Sequence, residues 1–143
     1  MIWLNPAKVT LGALALEGVT HIAIDREAER LSEEWTDLGP FAAFADVPEQ
    51  RVRVLIVRRV AQSETAAPRP GDALALSFRT SATASAAGVR SVSVAQLVVT
   101  GVEHAVSAGS SGAASATQRI RGVALSTTGS ADPVTETIVE GEV

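Results

Sequence analysis

The run Gln50–Val60, QRVRVLIVRRV, constrains the rest of the chain more than any other stretch. Val52, Val54, Leu55, Ile56 and Val57 crowd its middle, and Arg51, Arg53, Arg58 and Arg59 stand toward its ends. β-Branched side chains are stiff at χ1 and pack well on a pleated surface, so the run reads as a strand. Its even positions, Val52, Val54, Ile56 and Val60, line one face, and Leu55 and Val57 lie on the other. A strand apolar on both faces at its middle belongs at the centre of a sheet or inside an interface.

Further strands flank it. Lys8–Leu16 and Val19–Asp25 are two short runs, and Glu17-Gly18 between them suits a tight hairpin turn because glycine takes positive φ cheaply. In the second run Thr20, Ile22 and Ile24 share one face, and His21, Ala23 and Asp25 the other. Ala61–Gly71, with Pro68, Pro70 and Gly71, reads as a loop. Asp72–Thr80 alternates, with Leu74, Leu76 and Phe78 inward. In the long run Val89–Ser107, Val92, Val94, Val98, Val102 and Val106 have one parity, and Gly101 marks a bend or bulge. Ser107–Ala116 is low in complexity and reads as the flexible tip of a hairpin whose second arm is Thr117–Ser126. Val134–Val139 is a last short strand, or a tail that docks on another molecule. This pattern predicts a mainly β, antiparallel sandwich or barrel of seven to eight strands with at most one short helix. The 143 residues form one domain, 1–143, without an internal repeat.

Residues 26–49 are the part that does not read as simple strand. Ala28, Leu31, Trp35 and Leu38 recur at helical spacing, Asp25 is a capping residue, and Gly39-Pro40 ends the pattern. By intrinsic preference Arg26–Leu38 is the best helix in the chain. The competing assignment is an extended arm that becomes ordered only against a neighbouring subunit, since short helices draw most of their stability from packing. Phe41 and Phe44 follow in a connection and serve either the core edge or a partner.

Aromatic residues make up only 3% of the chain, so the core is built from Val, Leu, Ile and Ala. Such a core is thin for an isolated monomer and favours an oligomer. With no cysteine, disulfides and thiolate metal sites are excluded. His21 and His104 have no second ligand-type residue at metal spacing, and both read as ordinary strand residues. Neither a G-x-S-x-G elbow nor a phosphate-binding glycine fingerprint occurs. Ser110-Ser111-Gly112 sits in a hairpin tip, which is no place to preorganise a nucleophile. The acidic cluster Glu27–Asp37 has the spacing of a solvated face. No enzyme, metal or cofactor is therefore expected. A net charge of −4 provides no footprint for gripping nucleic acid. The N-terminus lacks a signal-like run and no segment reaches the ~18 apolar residues of a membrane span, so a cytoplasmic, non-membrane origin is expected.

One charge pairing does emerge. The segment Asp25–Asp37 is net negative, whereas Arg51–Arg59 carries four arginines and no acid. If one subunit's arm reached the next subunit's strand, Arg58 and Arg59 would complement it and help set orientation. The alternative is that both segments face water independently.

Lys8–Asp25, KVTLGALALEGVTHIAID, resembles the opening hairpin of the tail tube proteins of long-tailed phages, here followed by an arm and a strong strand. Gly39–Arg51, GPFAAFADVPEQR, with Pro70-Gly71-Asp72 and Val98–His104, is similar to the tail tube proteins of alphaproteobacterial siphophages and gene transfer agents. Many relatives place a helix after the strand matching Arg51–Val60, where this chain has only the Ala61–Gly71 loop. The resemblance implies a structural virion protein, made in the host cytoplasm, whose subunits form hexameric rings. Stacked rings would build a hollow tube that conducts DNA without specific binding, alongside tape-measure, terminator and baseplate proteins. Its interface residues would be Ile2, Trp3 and Leu4 at the terminus, with Leu31, Trp35, Leu38, Phe41 and Phe44 packing between rings. For each of these the alternative is burial in the subunit's own core. Other functions open to such a chain are a tail terminator or baseplate-hub subunit, and a stand-alone β-sandwich binding module.

Overall fold

The computed structural model describes residues 4–60, 67–81, 89–108 and 114–139. Eight strands run through them and no helix occurs among the described residues. They are β1 Leu4–Leu11, β2 Leu14–Leu16, β3 Val19–Trp35, β4 Ala42–Arg59, β5 Ala73–Ser81, β6 Val89–Ala108, β7 Ala114–Ala124 and β8 Val134–Val139. All pairings are antiparallel, in one sheet ordered β2-β1-β5-β6-β7-β4-β3, with β8 on β6. The sheet is not closed into a barrel. It curls until β1 lies against β3 without joining its ladder.

β6 organises this curl. β5 occupies one edge, and the other is shared end to end by β7, opposite Leu97–Ala108, and β8, opposite Val89–Val94. β7 and β8 thus act as one interrupted strand, with residues 125–133 looping out between them. Two irregularities re-aim the side chains of β6. A shift between Leu74 and Leu76 of β5 moves the inward file from Val92 and Val94 to Leu97 and Val99, all buried. A second shift, between Val99 and Gly101, returns it to Val102. The single parity expected for Val92 through Val106 is therefore wrong at Val98, although the irregularity at Gly101 falls where expected. Each bulge adds one residue to one strand, and a one-residue slip exchanges the two faces.

The strand at Arg51–Val60 is interior, with β3 on one edge and β7 on the other. Val52, Val54 and Ile56 point into the core beside Leu76, Phe78, Val92, Val94 and Ile120, and Leu55 and Val57 are half-buried on the outer face. Leu76 and Phe78 are inward as expected, with Leu74 packed at the margin. The first hairpin turns at Gly12-Ala13, joining β1 to β2, one turn earlier than Glu17-Gly18. Gly18 instead carries the chain across the opening of the curl. Its carbonyl accepts the Arg59 amide at 2.9 Å, its φ is 70°, and an added Cβ would meet the Arg59 carbonyl at 2.6 Å. Only glycine fits there.

The helix considered for Arg26–Leu38 is not formed. β3 continues through it to Trp35 and pairs with β4 as far as Ala42. The helical spacing of Ala28, Leu31, Trp35 and Leu38 had no apolar surface to pack on, and a register with β4 was available instead. Val134–Val139 is a strand, docked on the chain's own β6. β6 and β7 form the expected hairpin, paired out to Ala108 and Ala114, and its tip at 109–113 lies outside the described residues.

Candidate assembly surfaces

β7 pairs with β4 only from Val52 onward, so among the described residues Ala42–Arg51 have β3 as their sole neighbour. β3 and β4 therefore leave the sheet as a two-stranded ribbon about 30 Å long, at roughly 3.3 Å per residue. Every residue from Asp25 to Asp46 is exposed. At the far end the Trp35 indole N–H donates to the Pro40 carbonyl at 3.2 Å and closes the turn. Leu38 and Phe41 are 95% and 84% exposed in that turn, with Leu31, Trp35 and Phe44 more than half exposed behind them. An isolated two-stranded hairpin is marginal in water, and clustered exposed apolar groups mark an interaction site. All five of these predicted interface residues thus gather on one protruding element, outside the subunit's own core.

The other predicted interface positions are scattered. Leu4 opens β1 opposite Ser81, and Ile2 and Trp3 lie outside the described residues. Arg59 is exposed on the outer face. Arg58 is not available to a neighbour: it belongs to the inward file after Val54 and Ile56 and is 1% exposed. Its Nε donates to the Gln118 Oε1 at 2.6 Å. With that oxygen engaged, the Gln118 amide N–H₂ faces the Nε2 of His104 at 2.9 Å, so the imidazole nitrogen accepts and its proton sits on Nδ1. Register makes this row, since Arg58 lies opposite Gln118 and Gln118 opposite His104.

The charge pairing anticipated between subunits is met within the chain near the root of the ribbon. Arg51 holds Glu29 at 2.9 Å, Arg53 holds Glu27 at 3.4 Å and Arg30 holds Glu49 at 3.4 Å. These are exposed pairs worth little in stability, but they fix register. Asp132, in the loop between β7 and β8, takes both its oxygens to the Arg26 guanidinium and ties that loop to the ribbon's base. Sequence reasoning missed Arg119 and Arg121 of β7, which stand beside Val57 and Leu55 on the outer face of the sheet. No local pattern reveals them, because only the β4–β7 register brings them there. A groove of about 510 Å³ on this face is lined by Leu55, Val123, Arg53 and Arg121, with Asp25 and Glu27 at its side.

Among the described residues no three His, Cys, Asp or Glu side chains converge as a metal site would require. No helix in them is long and apolar enough to cross a membrane. Comparison of the sequence with protein-family models gives no match, and comparison with curated proteins gives none either.

Proposed function

We propose that this chain is a structural virion protein, a subunit of stacked hexameric rings that form the hollow tail tube of a long-tailed phage and conduct DNA during ejection. The observation that carries this is the ribbon of β3 and β4. It extends about 30 Å from the sheet with five large apolar side chains at its outer end and no core of its own. Ordered ribbons of this kind gain their stability from a partner, and a chain that makes many copies of itself always has one available.

Three further features support the same function. Among the described residues, β2 has a neighbour only in β1, β3 only in β4 and β8 only in β6, leaving three strand edges for pairing with other copies. A contact between unlike surfaces closes into a ring or continues as a filament. The net charge of −4 suits a bore through which a polyanion slides without being held. The mechanism is then passive, with no turnover and no cofactor. The likeness of Lys8–Asp25 and Gly39–Arg51 to tail tube sequences points to the tube among the possible assemblies. Tape-measure, terminator and baseplate proteins would be its neighbours in the virion.

Negative-stain microscopy of the purified full-length chain tests this proposal. Uniform rings or hollow tubes are the expected result. Single caps would transfer the assignment to a terminator or hub subunit. A strict monomer at millimolar concentration would overturn it in favour of a stand-alone module.

A further inference from the structure

Resting on the assembly proposed above, the geometry points to a specific acceptor for the ribbon. The distal half of one copy's ribbon docks on the outer face of β4 and β7 of a second copy, where Arg59, Arg119 and Arg121 border the half-buried Leu55 and Val57.

Charge is balanced near the ribbon's root and left unbalanced toward its tip. Residues 31–46 hold four carboxylates, Glu33, Glu34, Asp37 and Asp46, and no basic residue. None of the four has an ion-pair partner among the described residues, whereas Glu27, Glu29 and Glu49 are all paired. The mirror situation holds on the sheet. Leu55 lies opposite Arg121, Val57 opposite Arg119 and Arg59 opposite Thr117, and directly opposed residues share a face. Arg59 and Arg119 are exposed and have no ion-pair partner among the described residues, and Arg121 meets Glu103 only at 3.8 Å. A chain with a net charge of −4 thus leaves two unpaired cations, Arg59 and Arg119, on one face beside an apolar strip, with Glu103 opposite Arg119 turned to Arg121.

The ribbon presents the complement, an apolar end carrying Trp35 and Phe41 among unpaired acids. Charge sets approach and orientation, and the aromatic groups supply the buried area. The adjoining groove, with Leu55 and Val123 in its walls, accepts the apolar tip; Asp25 and Glu27 at its side keep carboxylates out. The same chain cannot supply both halves. Phe44 precedes Leu55 by eleven residues of continuous strand, about 35 Å, and the ribbon points away from the face it would need to reach. The occupant is therefore a second copy. Because donor and acceptor are different surfaces, the contact propagates from copy to copy.

The test is a charge exchange in the full chain, read by sedimentation velocity and negative stain, with circular dichroism reporting the fold. Arg59→Glu/Arg119→Glu spoils the acceptor, and Glu33→Arg/Glu34→Arg spoils the donor. Each alone is expected to stay monomeric at about 10-fold the concentration at which the wild type assembles. An equimolar mixture is expected to assemble again, because the reversed ribbon meets the reversed face. If the acceptor reversal fails to fold, Arg59→Gln/Arg119→Gln replaces it, with a raised threshold and a weaker dependence on salt expected. Wild-type assembly accompanied by unimpaired variants, or by a mixture that stays monomeric, overturns the docking and leaves the tube proposal standing. A wild type that never assembles overturns both.

Discussion

Removing both members of the buried Arg58–Gln118 pair should cost no more than removing either one alone. Each side chain is 1% exposed, and Gln118 gives its oxygen to the guanidinium Nε at 2.6 Å. In Gln118→Leu a buried charge loses an acceptor and no water replaces it, a loss of about 3 kcal/mol. In Arg58→Leu the orphan is a neutral amide oxygen, costing about 2 kcal/mol. Combining the two changes leaves apolar side chains of similar volume next to Ile56 and Ile120, and His104, which is exposed, turns to water. The double variant should therefore lose only about 2 kcal/mol, giving a coupling near 3 kcal/mol. At this chain length about 3 kcal/mol lowers Tm by roughly 10 °C. The assay is urea and thermal unfolding by far-ultraviolet circular dichroism, below the concentration of assembly, because Trp35 stands on the ribbon and its fluorescence does not report the core. Additive losses, with the double variant down by about 5 kcal/mol, would refute the pair as a coupled unit.

Two glycines near the β6–β7 ladder should respond in opposite ways. A Cβ at Gly122 would meet Leu97 Cδ1 at 2.7 Å and the Val98 carbonyl at 2.9 Å, so Gly122→Ala should cost about 2 kcal/mol in the same unfolding assay. At Gly101 nothing lies within 4 Å, so Gly101→Ala should be neutral or stabilising by up to about 1 kcal/mol. Trp35 is 58% exposed in the single subunit, so its emission maximum should shift to the blue as protein concentration crosses the assembly threshold, and should not move in Glu33→Arg/Glu34→Arg.

The strands were legible where burial on one face imposes a period of two. Val52, Val54 and Ile56, and Leu76 and Phe78, were read from alternation alone and all are in the core. Residues 26–38 misled because Ala28, Leu31, Trp35 and Leu38 repeat at helical spacing by coincidence. All four are exposed and none belongs to the core, so the pattern records no core-facing side. Arg58 reads from sequence as part of a charged strand end open to a neighbouring subunit, but its register position puts it in the inward file and buries it. The Gln118 that accepts its hydrogen bond lies sixty residues further along the chain, and no local pattern links the two. The same applies to Arg119 and Arg121, whose place beside Leu55 and Val57 is a matter of register. The five apolar residues that the sequence marks in this segment, Leu31, Trp35, Leu38, Phe41 and Phe44, are all exposed on the ribbon in the subunit.

The central claim is that the ribbon serves other copies of the chain and not its own fold. Replacing residues 29–49 by Asn-Gly joins Ala28 to Gln50, which are already opposite each other, by a two-residue hairpin turn. The shortened chain should keep its circular dichroism spectrum and its Tm to within a few degrees, because none of the deleted residues belongs to the core. In the electron microscope and the ultracentrifuge it should be monomeric under conditions where the intact chain forms rings or tubes. Rings or tubes built as readily by the shortened chain would contradict the claim.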